Sequence, residues 1–538
     1  MIDAQAELLP PVETFTDEEV AFLSSYVTNT DLPVFALVDL PEVVKGALFA
    51  RYSRSEKSLR RLLLDEFRED LEGRFQDGHG TQVRAERLYD RVFGEYGDDS
   101  IAQLGTVHVA CEGASNIVTK LLERGRLMSY LEQSTRYVPY TDKPGGRWKY
   151  HTPIDLDPEL RDEYGRVTDD AFATYAALLP KLEAHLLDRL VDGTPATQGA
   201  AFRRAVRAKA LDVLRGLLPA ATRSNVGVFG SGQAYEMLVM RLRATGNSEA
   251  LAFSDLLLSE LQKVIPAFLS RVDRPDRGQV WTRYLDDVRR ASSEVAEKYT
   301  KDVLRADVPE VSLIDFDPDG EIKVVAAALY RYSSASDAQL LEVARRMSAA
   351  ERQEVLDAYV GDRTNRRHRP GRAFERTTYR FDVLGEYGAF RDLQRHRLLT
   401  IDWQSLSPAH GYVTPAIIDD AGMADQWHQV MRRGADLSFR ISLTNPTAAS
   451  YAVPMAFRMR YVMEMNAREA MHVIELRSAE QGHENYRRVA RRMHELIAEK
   501  AGHRALARSM RFVNYADGEL ERLTAELEQD ARPAKSTD

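Results

Sequence analysis

Three pairs of similar segments occur in the same order along this chain of 538 residues. "ALFARYSRS" (Ala47 to Ser55) resembles "ALYRYSSAS" (Ala328 to Ser336), and "LLERGRL" (Leu121 to Leu127) resembles "DLQRHRL" (Asp392 to Leu398). "YEMLVMRLR" (Tyr235 to Arg243) resembles "REAMHVIELR" (Arg468 to Arg477). Arginine-rich helices resemble one another by chance, but three matches in one order speak for an internal duplication, and a duplicated chain is expected to fold as two like copies. The separation between matched positions falls from 280 residues (Arg51 to Arg331) to 271 (Arg124 to Arg395) and 236 (Arg241 to Arg477). Extra residues have therefore accumulated in the first copy. Their expected place is between Thr141 and Val206, where "TDKPGGRWKYHTPIDLDPEL" carries the prolines and glycines of a loop.

The change of copy is expected near "PEVSLIDFDPDGEIK" (Pro309 to Lys323), which has prolines, a glycine and strand-like alternation. The expected division is residues 1–305 and 306–538. Most of the chain reads as helix. Ile117, Val118, Leu121 and Leu122 have helical spacing, with Ser115 or Asn116 as the cap. "YVMEMNAREAMHVIELR" and "YRRVARRMHELIAEKAGHRALARSM" are read as further helices. "TVHVACEG" (Thr106 to Gly113) and "TTYRFDVLG" (Thr377 to Gly385) are read as short strands, each leading into the helix before an arginine pair.

Hydrophobic residues make up 44% of the chain and charged residues 29%, enough for sizeable buried cores. The formal charge of −9 opposes a general electrostatic grip on nucleic acid, so no nucleic-acid partner is expected. A single cysteine, Cys111, excludes an intrachain disulfide and a multi-cysteine metal site, which fits a cytoplasmic protein. The acidic N-terminus lacks the pattern of a signal peptide, and the last eleven residues read as a frayed tail. No uncharged apolar run reaches the roughly 18 residues of a membrane helix.

The segment "RLMSYLEQSTRY" (Arg126 to Tyr137) concentrates groups suited to gripping an anion, two residues after Arg124. Arg124, Arg126 and Arg136, with Ser129 and Ser134, have the chemistry of a bidentate phosphate clamp. Glu132 would accept from a ligand N–H or a sugar hydroxyl. The competing reading is a solvated polar turn. At the matching place in the second copy, Arg395, His396 and Arg397 are three successive cationic or titratable groups. Such a run is either a solvated face or a cradle for the phosphates or reduced ring of an anionic cofactor. On "NAREAMHVIELR", Asn466, Ala470, Val473 and Arg477 fall near one helical face, while Arg468 and His472 stand at i and i+4.

Three further features are weighed and set aside. His472, Glu475 and His483 lack metal-ligand spacing, so no metal is expected. "GSGQAY" (Gly230 to Tyr235) lacks the surroundings of a dinucleotide loop. "RTNRRHRPGR" (Arg363 to Arg372) reads as an exposed basic loop, able at most to attract an anion such as a polyglutamate tail or single-stranded nucleic acid.

These motifs resemble the flavin-dependent thymidylate synthases. That family's signature runs Arg-His-Arg, two residues, Ser, one residue, Asn-Glu, one residue, Ser, one residue, Arg-Tyr. "RGRLMSYLEQSTRY" keeps Arg124, Arg126, Ser129, Glu132, Ser134, Arg136 and Tyr137, but has Gly125 for the histidine and Leu131 for the asparagine. "RHRLLTIDWQSLSP" keeps Arg395, His396, Arg397 and Ser405, and departs at Thr400, Asp402, Trp403, Ser407 and Pro408. The family's arginine four residues before a proline is matched by Arg215 before Pro219, whereas Ser450 precedes Pro454. Its Asn-x-Arg helix ending in Leu-Arg is matched by Asn466, Arg468 and Arg477, whereas the first copy has Gly230 and Gly232 and keeps only Arg241. "EGASN" (Glu112 to Asn116) resembles a further family stretch, Glu-Gly-x-Ser-Arg.

The resemblance implies an α/β (α+β) fold in two tandem copies, helix-rich with small sheets. It implies transfer of a one-carbon unit to dUMP, giving dTMP, with FAD, with methylenetetrahydrofolate as donor and NADPH as reductant. Arg124, Arg126, Glu132, Ser134, Arg136 and Arg215 would bind the nucleotide. Arg395, His396, Arg397, Asn466, Arg468 and His472 would hold the flavin. Arg241, Arg477 and His396 would serve the chemistry, either arginine polarising the pyrimidine. The family is a homotetramer with sites where subunits meet, so a two-copy chain is expected to imitate it as a homodimer. Leu131 and Asp402 keep two alternatives open: hydroxymethylation or methylation of another pyrimidine nucleotide, and a non-catalytic nucleotide- or flavin-binding paralogue.

Overall fold

A computed structural model describes residues 13–32, 35–52, 55, 57–72, 103–191, 194, 197, 199–304, 307–516, 518, 520 and 522–530. The expectations for the extreme N-terminus and the last eight residues lie outside this set. The described residues form helices and two small sheets, and one order of elements occurs twice. In the first copy, strand β1 (Thr106–Ser115) runs into helix α1 (Asn116–Leu122) and strand β2 (Met128–Glu132). Helices α2 (Pro158–Leu190) and α3 (Ala200–Leu214) follow, then β3 (Arg223–Ser231) and α4 (Gly232–Arg243). In the second copy, after β4 (Val311–Phe316), strand β5 (Thr378–Glu386) runs into α5 (Tyr387–Leu393) and β6 (Thr400–Trp403). Helix α6 (Ala424–Ser442), strand β7 (Arg458–Asn466) and helix α7 (Ala467–Arg477) complete it. The sheet orders match as well: β1-β3-β2 in one and β5-β7-β6 in the other, the latter extended by β4 beside β5. The second sheet is antiparallel, with Asp382 opposite Val462 on β5 and β7.

Local chemistry sets these boundaries. The Ser115 hydroxyl accepts from the Val118 N–H at 3.1 Å and caps α1. The Asn466 side chain accepts from the Glu469 N–H at 2.9 Å and caps α7. Residues 461–466, expected to be helical, instead end β7. Tyr461, Met463 and Met465 are buried while their neighbours are not, and that alternation is the period of a strand. Likewise Met128 to Glu132, expected in a loop after the helix, form β2. The long first-copy segment is mainly the pair α2 and α3, where the second copy has the shorter α6.

Contacts divide the chain into two compact units. One comprises residues 1–111, 127–131 and 227–301; the other comprises 112–126, 132–226 and 302–538. The first unit packs α4 through Leu238, Val239 and Leu242 around buried Leu257, Leu258, Leu261 and Phe268. In the second unit, one core joins Phe172, Leu211, Leu214 and Leu217 of the first copy with Phe381, Phe390, Trp427, Tyr461 and Ile474 of the second. Equivalent turns of the two copies meet at its centre. The Ala220 N–H donates to the Val453 carbonyl at 2.9 Å, and the Met455 N–H donates to the Leu218 carbonyl at 2.9 Å. Pro219 thus faces Pro454 across an antiparallel bridge, each pairing with its own counterpart. Gly216 is held against the Trp427 ring, where a Cβ would come within 2.6 Å of a ring carbon.

Candidate functional site

The second unit gathers motif residues of both copies into buried ion pairs. The Arg136 Nε donates to both oxygens of Asp212 at 2.6 Å, and its Nη2 lies 2.5 Å from Oδ2. The remaining amino group donates to the Tyr486 hydroxyl at 3.1 Å. Burial alone would raise the Asp212 carboxyl, but Arg136 and then Arg215 overcome it and hold it at about 2. Arg215 lies 3.6 Å from Asp212 and 3.9 Å from Glu386. Its Nε and Nη2 are buried without a hydrogen-bond partner. A Cβ on Gly388 would stand 3.3 Å from that Nε, so the glycine leaves room for the guanidinium. These donors border a cavity of about 130 Å³, lined also by Lys209, Glu386, His483 and Asn485. Burial raises the Glu386 carboxyl, while burial and then Arg215 depress the His483 ring. Sequence reasoning missed Asp212 and Glu386, and weighed His483 only as a metal ligand. Asp212 stands three residues before Arg215, and that spacing was the available signal.

Glu132, expected to meet a ligand, is committed internally. Arg391 donates to one oxygen at 2.6 Å and Lys120 to the other at 3.1 Å. Burial opposes its charge, yet Arg391 and Lys120 hold it ionised with a pKa of about 2. Ser134 accepts from the Arg136 N–H at 3.2 Å, so its hydroxyl braces the turn that carries Arg136. Arg124 and Arg126 are exposed and reach Asp402 and Thr400 on β6 at 3.2 and 3.1 Å.

The second-copy residues meet along one side of α7, from Glu469 to Arg477, and just beyond the end of α5. Arg477 Nε donates to His396 Nε2 at 2.9 Å, which leaves the proton of this imidazole on Nδ1, 3.5 Å from Glu469. Burial and then Arg477 hold His396 well below its ordinary range, so it is neutral. Arg395 and Arg477 both pair with Asp392, at 3.9 Å for Arg477. Burial resists that carboxylate, but Arg395 and Arg477, with Arg215 and Arg136 beyond, keep it strongly acidic. Tyr486 links the two groups within a single chain, accepting from Arg136 at 3.1 Å while its ring lies 5.5 Å from Arg477.

His472 stacks edge-on against His396, with ring centroids 5.3 Å apart, and accepts from Arg369 at 2.8 Å. Burial, Arg369 and Arg366 lower it to about 4, whereas burial raises Glu469 to about 7 against Arg369 and Arg468. Arg468 donates to the Pro370 carbonyl at 2.9 Å, and Arg397 is exposed. His396, Glu469 and His472 have ligating atoms within 4.8 Å of one another. Arginine donors on two of those nitrogens make this a poor place for a cation. The loop 363–372, expected to be wholly exposed, is pinned by Arg363, which is buried and bidentate to Glu475 at 2.7 and 2.6 Å.

Arg241 belongs to the other unit, where its Nε donates to the Met237 carbonyl of its own helix at 3.2 Å. In that unit Gly230 and Gly232 stand where the resemblance asks for Asn and Arg. A Cβ at either would lie 2.7 Å from Met128 or Phe268, so those side chains fill the room.

One order of strands and helices, occurring twice, thus surrounds a set of buried arginine–carboxylate pairs. The family model "Thymidylate synthase complementing protein" (Thy1) matches residues 46–267 and 312–502, and the chain belongs to that family, the flavin-dependent thymidylate synthases. A UPF0159 protein of Chlamydia pneumoniae is 37% identical over 532 residues, covering 97% of this chain and 99% of that protein. A flavin-dependent thymidylate synthase of Mycobacterium sp. (strain JLS) is 33% identical over 184 residues, 33% of this chain and 67% of that protein. Among solved structures, the UMP/dUMP methylase PolB from Streptomyces cacaoi bound with 5-Br dUMP is 20% identical with a TM-score of 0.31, covering 39% of this chain and 99% of that one. Among the described residues no helix is long and apolar enough to cross a membrane.

Proposed function

We propose that this chain transfers a one-carbon unit from methylenetetrahydrofolate to a pyrimidine nucleotide, with FAD as flavin and NADPH as reductant, and that dUMP is converted to dTMP. The supporting observation is the meeting of the two groups at Tyr486, whose hydroxyl accepts from the nucleotide-side Arg136 at 3.1 Å and whose ring lies 5.5 Å from Arg477, the donor to the flavin-side His396. Nucleotide and cofactor must touch for such a reaction, and this arrangement brings their expected binding groups together.

The residues fit an anionic flavin. Arg366, Arg369 and Arg468 surround His472 and Glu469, and that positive field contributes to the low pKa of His472. Arg397, Asn466, Arg468 and His472 would hold the flavin, whose redox chemistry the side chains do not themselves provide. His396, neutral and protonated on Nδ1, is oriented by Arg477 and Glu469. Arg477, buried beside Tyr486 at 5.5 Å, would donate to a polarised pyrimidine carbonyl. Arg215, with two unpartnered donors, is the nucleotide's anion contact. A homodimer is the proposed assembly, though the groups named above already meet within one chain.

The test is rescue of a thymidine auxotroph, followed by mass analysis of the product formed from dUMP. A hydroxymethylated product, or a product only from another pyrimidine nucleotide, would replace the dTMP assignment. Flavin placement is tested separately with Arg397→Ala combined with Arg468→Ala. Both side chains are at least partly exposed, so the fold should persist while the flavin absorbance of the purified protein is lost.

A further inference from the structure

We infer that the segment after the second copy supplies a third arginine to the nucleotide's phosphate: Arg522. This rests on the nucleotide reading of the Arg136–Arg215 cluster. Arg522 lies beyond the family-matched segment that ends at residue 502. It nevertheless packs against the motif, with its guanidinium 4.0 Å from the centroid of the Tyr137 ring, next in sequence to Arg136. Arg522 is only 8% exposed, and its Nη1 is buried without a hydrogen-bond partner.

A buried cation that lacks a partner is costly, and a second one beside it is more so. Burial and then Arg136 both depress the Arg522 guanidinium, with Asp212 the carboxylate that offsets them. Asp212 gives both its oxygens to Arg136 and lies 3.6 Å from Arg215, so its charge offsets Arg522 only in part. Glu386 gives partial relief to Arg215 only, at 3.9 Å. The excess positive charge and the unused donors are what a phosphomonoester dianion would satisfy.

The placement of Arg522 is built rather than incidental. The helix that follows it, α8 (Leu523–Asp530), is tied to α3 by Arg204, which donates to Glu526 and Asp530 at 2.6 Å each. Helix α3 also carries Asp212. One helix therefore positions the shared carboxylate and anchors the segment that brings Arg522 to it.

The experiment compares dUMP, deoxyuridine and inorganic phosphate binding to the full chain and to Arg522→Ala and Arg522→Lys, by calorimetry. Loss of one charge-assisted contact should weaken dUMP about 10- to 100-fold in Arg522→Ala and less in Arg522→Lys. Deoxyuridine, lacking the phosphate, should bind all three alike. A purely structural role would weaken both ligands together, and that result overturns the inference. Equal dUMP affinity in Arg522→Ala, with loss in Arg215→Ala, overturns it while leaving the nucleotide reading standing. If the parent binds phosphate but not dUMP, the nucleotide reading fails. The anion site at Arg522 then stands only if Arg522→Ala abolishes the phosphate binding.

Discussion

Arg136 and Asp212 form a closed pair: one nitrogen of the arginine is 2.6 Å from each carboxylate oxygen. The arginine that the motif assigns to a ligand's phosphate already holds an anion of its own chain. Breaking such a buried pair on one side costs about 3–5 kcal/mol. Asp212→Asn should lose that much stability in urea titrations, and inorganic phosphate should restore part of it by taking the carboxylate's place. No recovery with phosphate would mean that Arg136 is closed to outside anions.

Glu132 carries a second closed arrangement, between Arg391 and Lys120. Its pKa of about 2 lies below the roughly 4.3 of an unfolded glutamate, so the folded state favours its ionised form. Its contribution is present above pH ~4.3 and is lost as the pH falls toward 2. The stability gap between parent and Glu132→Gln, measured by urea unfolding, should shrink over that window. A gap unchanged by acid would place the cost in packing instead of charge.

Glu469 titrates in the opposite sense. Burial raises it to about 7, so the folded state favours its protonated form. Its stabilising effect is full below the unfolded pKa of roughly 4.3 and is lost as the pH rises through 7, a swing on the order of 4 kcal/mol. Glu469→Gln should flatten this part of the stability profile between pH 4 and 8. An identical profile in the variant would assign the dependence to another group.

Flavin stoichiometry should be one per chain. Asn466 and Arg468 open helix α7, whereas Gly230 and Gly232 sit at the start of α4 with Met128 and Phe268 pressed against them. Absorbance and protein quantitation of the purified enzyme should give a ratio near one, and a ratio of two would require a flavin site without those side chains.

Mixing an Arg136→Ala chain with an Arg397→Ala chain should not restore activity. Arg136 donates to Tyr486, the Tyr486 ring lies against Arg477, and Arg477 donates to His396, the neighbour of Arg397, all inside one chain, so each mixed particle is expected to keep a defect in every site. Recovered turnover after subunit exchange would show that a site draws on two chains.

Much of this was legible in the residues. The duplication, the cap at Ser115, and the family were all readable, because each rests on local spacing or on polar residues that a helix does not itself need. The partners of the arginines were not. Asp212, Asp392 and Glu386 are single acidic residues in ordinary helical or strand sequence, and only folding brings them to Arg136, Arg477 and Arg215, far away in the chain. Residues 461–466 misled for a different reason. Alternating methionines beside a strong helix blur the change of period at Asn466, and the sheet decided it. The basic run at 363–372 misled because charge density says nothing about which arginine will find a buried carboxylate, and Arg363 found Glu475.

The bridge between Pro219 and Pro454 is a contact that two separate subunits would make across a twofold axis, here made by one polypeptide with itself. Joining the partners fixes their effective concentration, so the pairing no longer depends on how much protein the cell makes. It also changes what mutation can do. In a homodimer every substitution is expressed on both sides of the axis at once. Across this bridge Arg215 has Ser450 as its counterpart, and each side is free to specialise without spoiling the other.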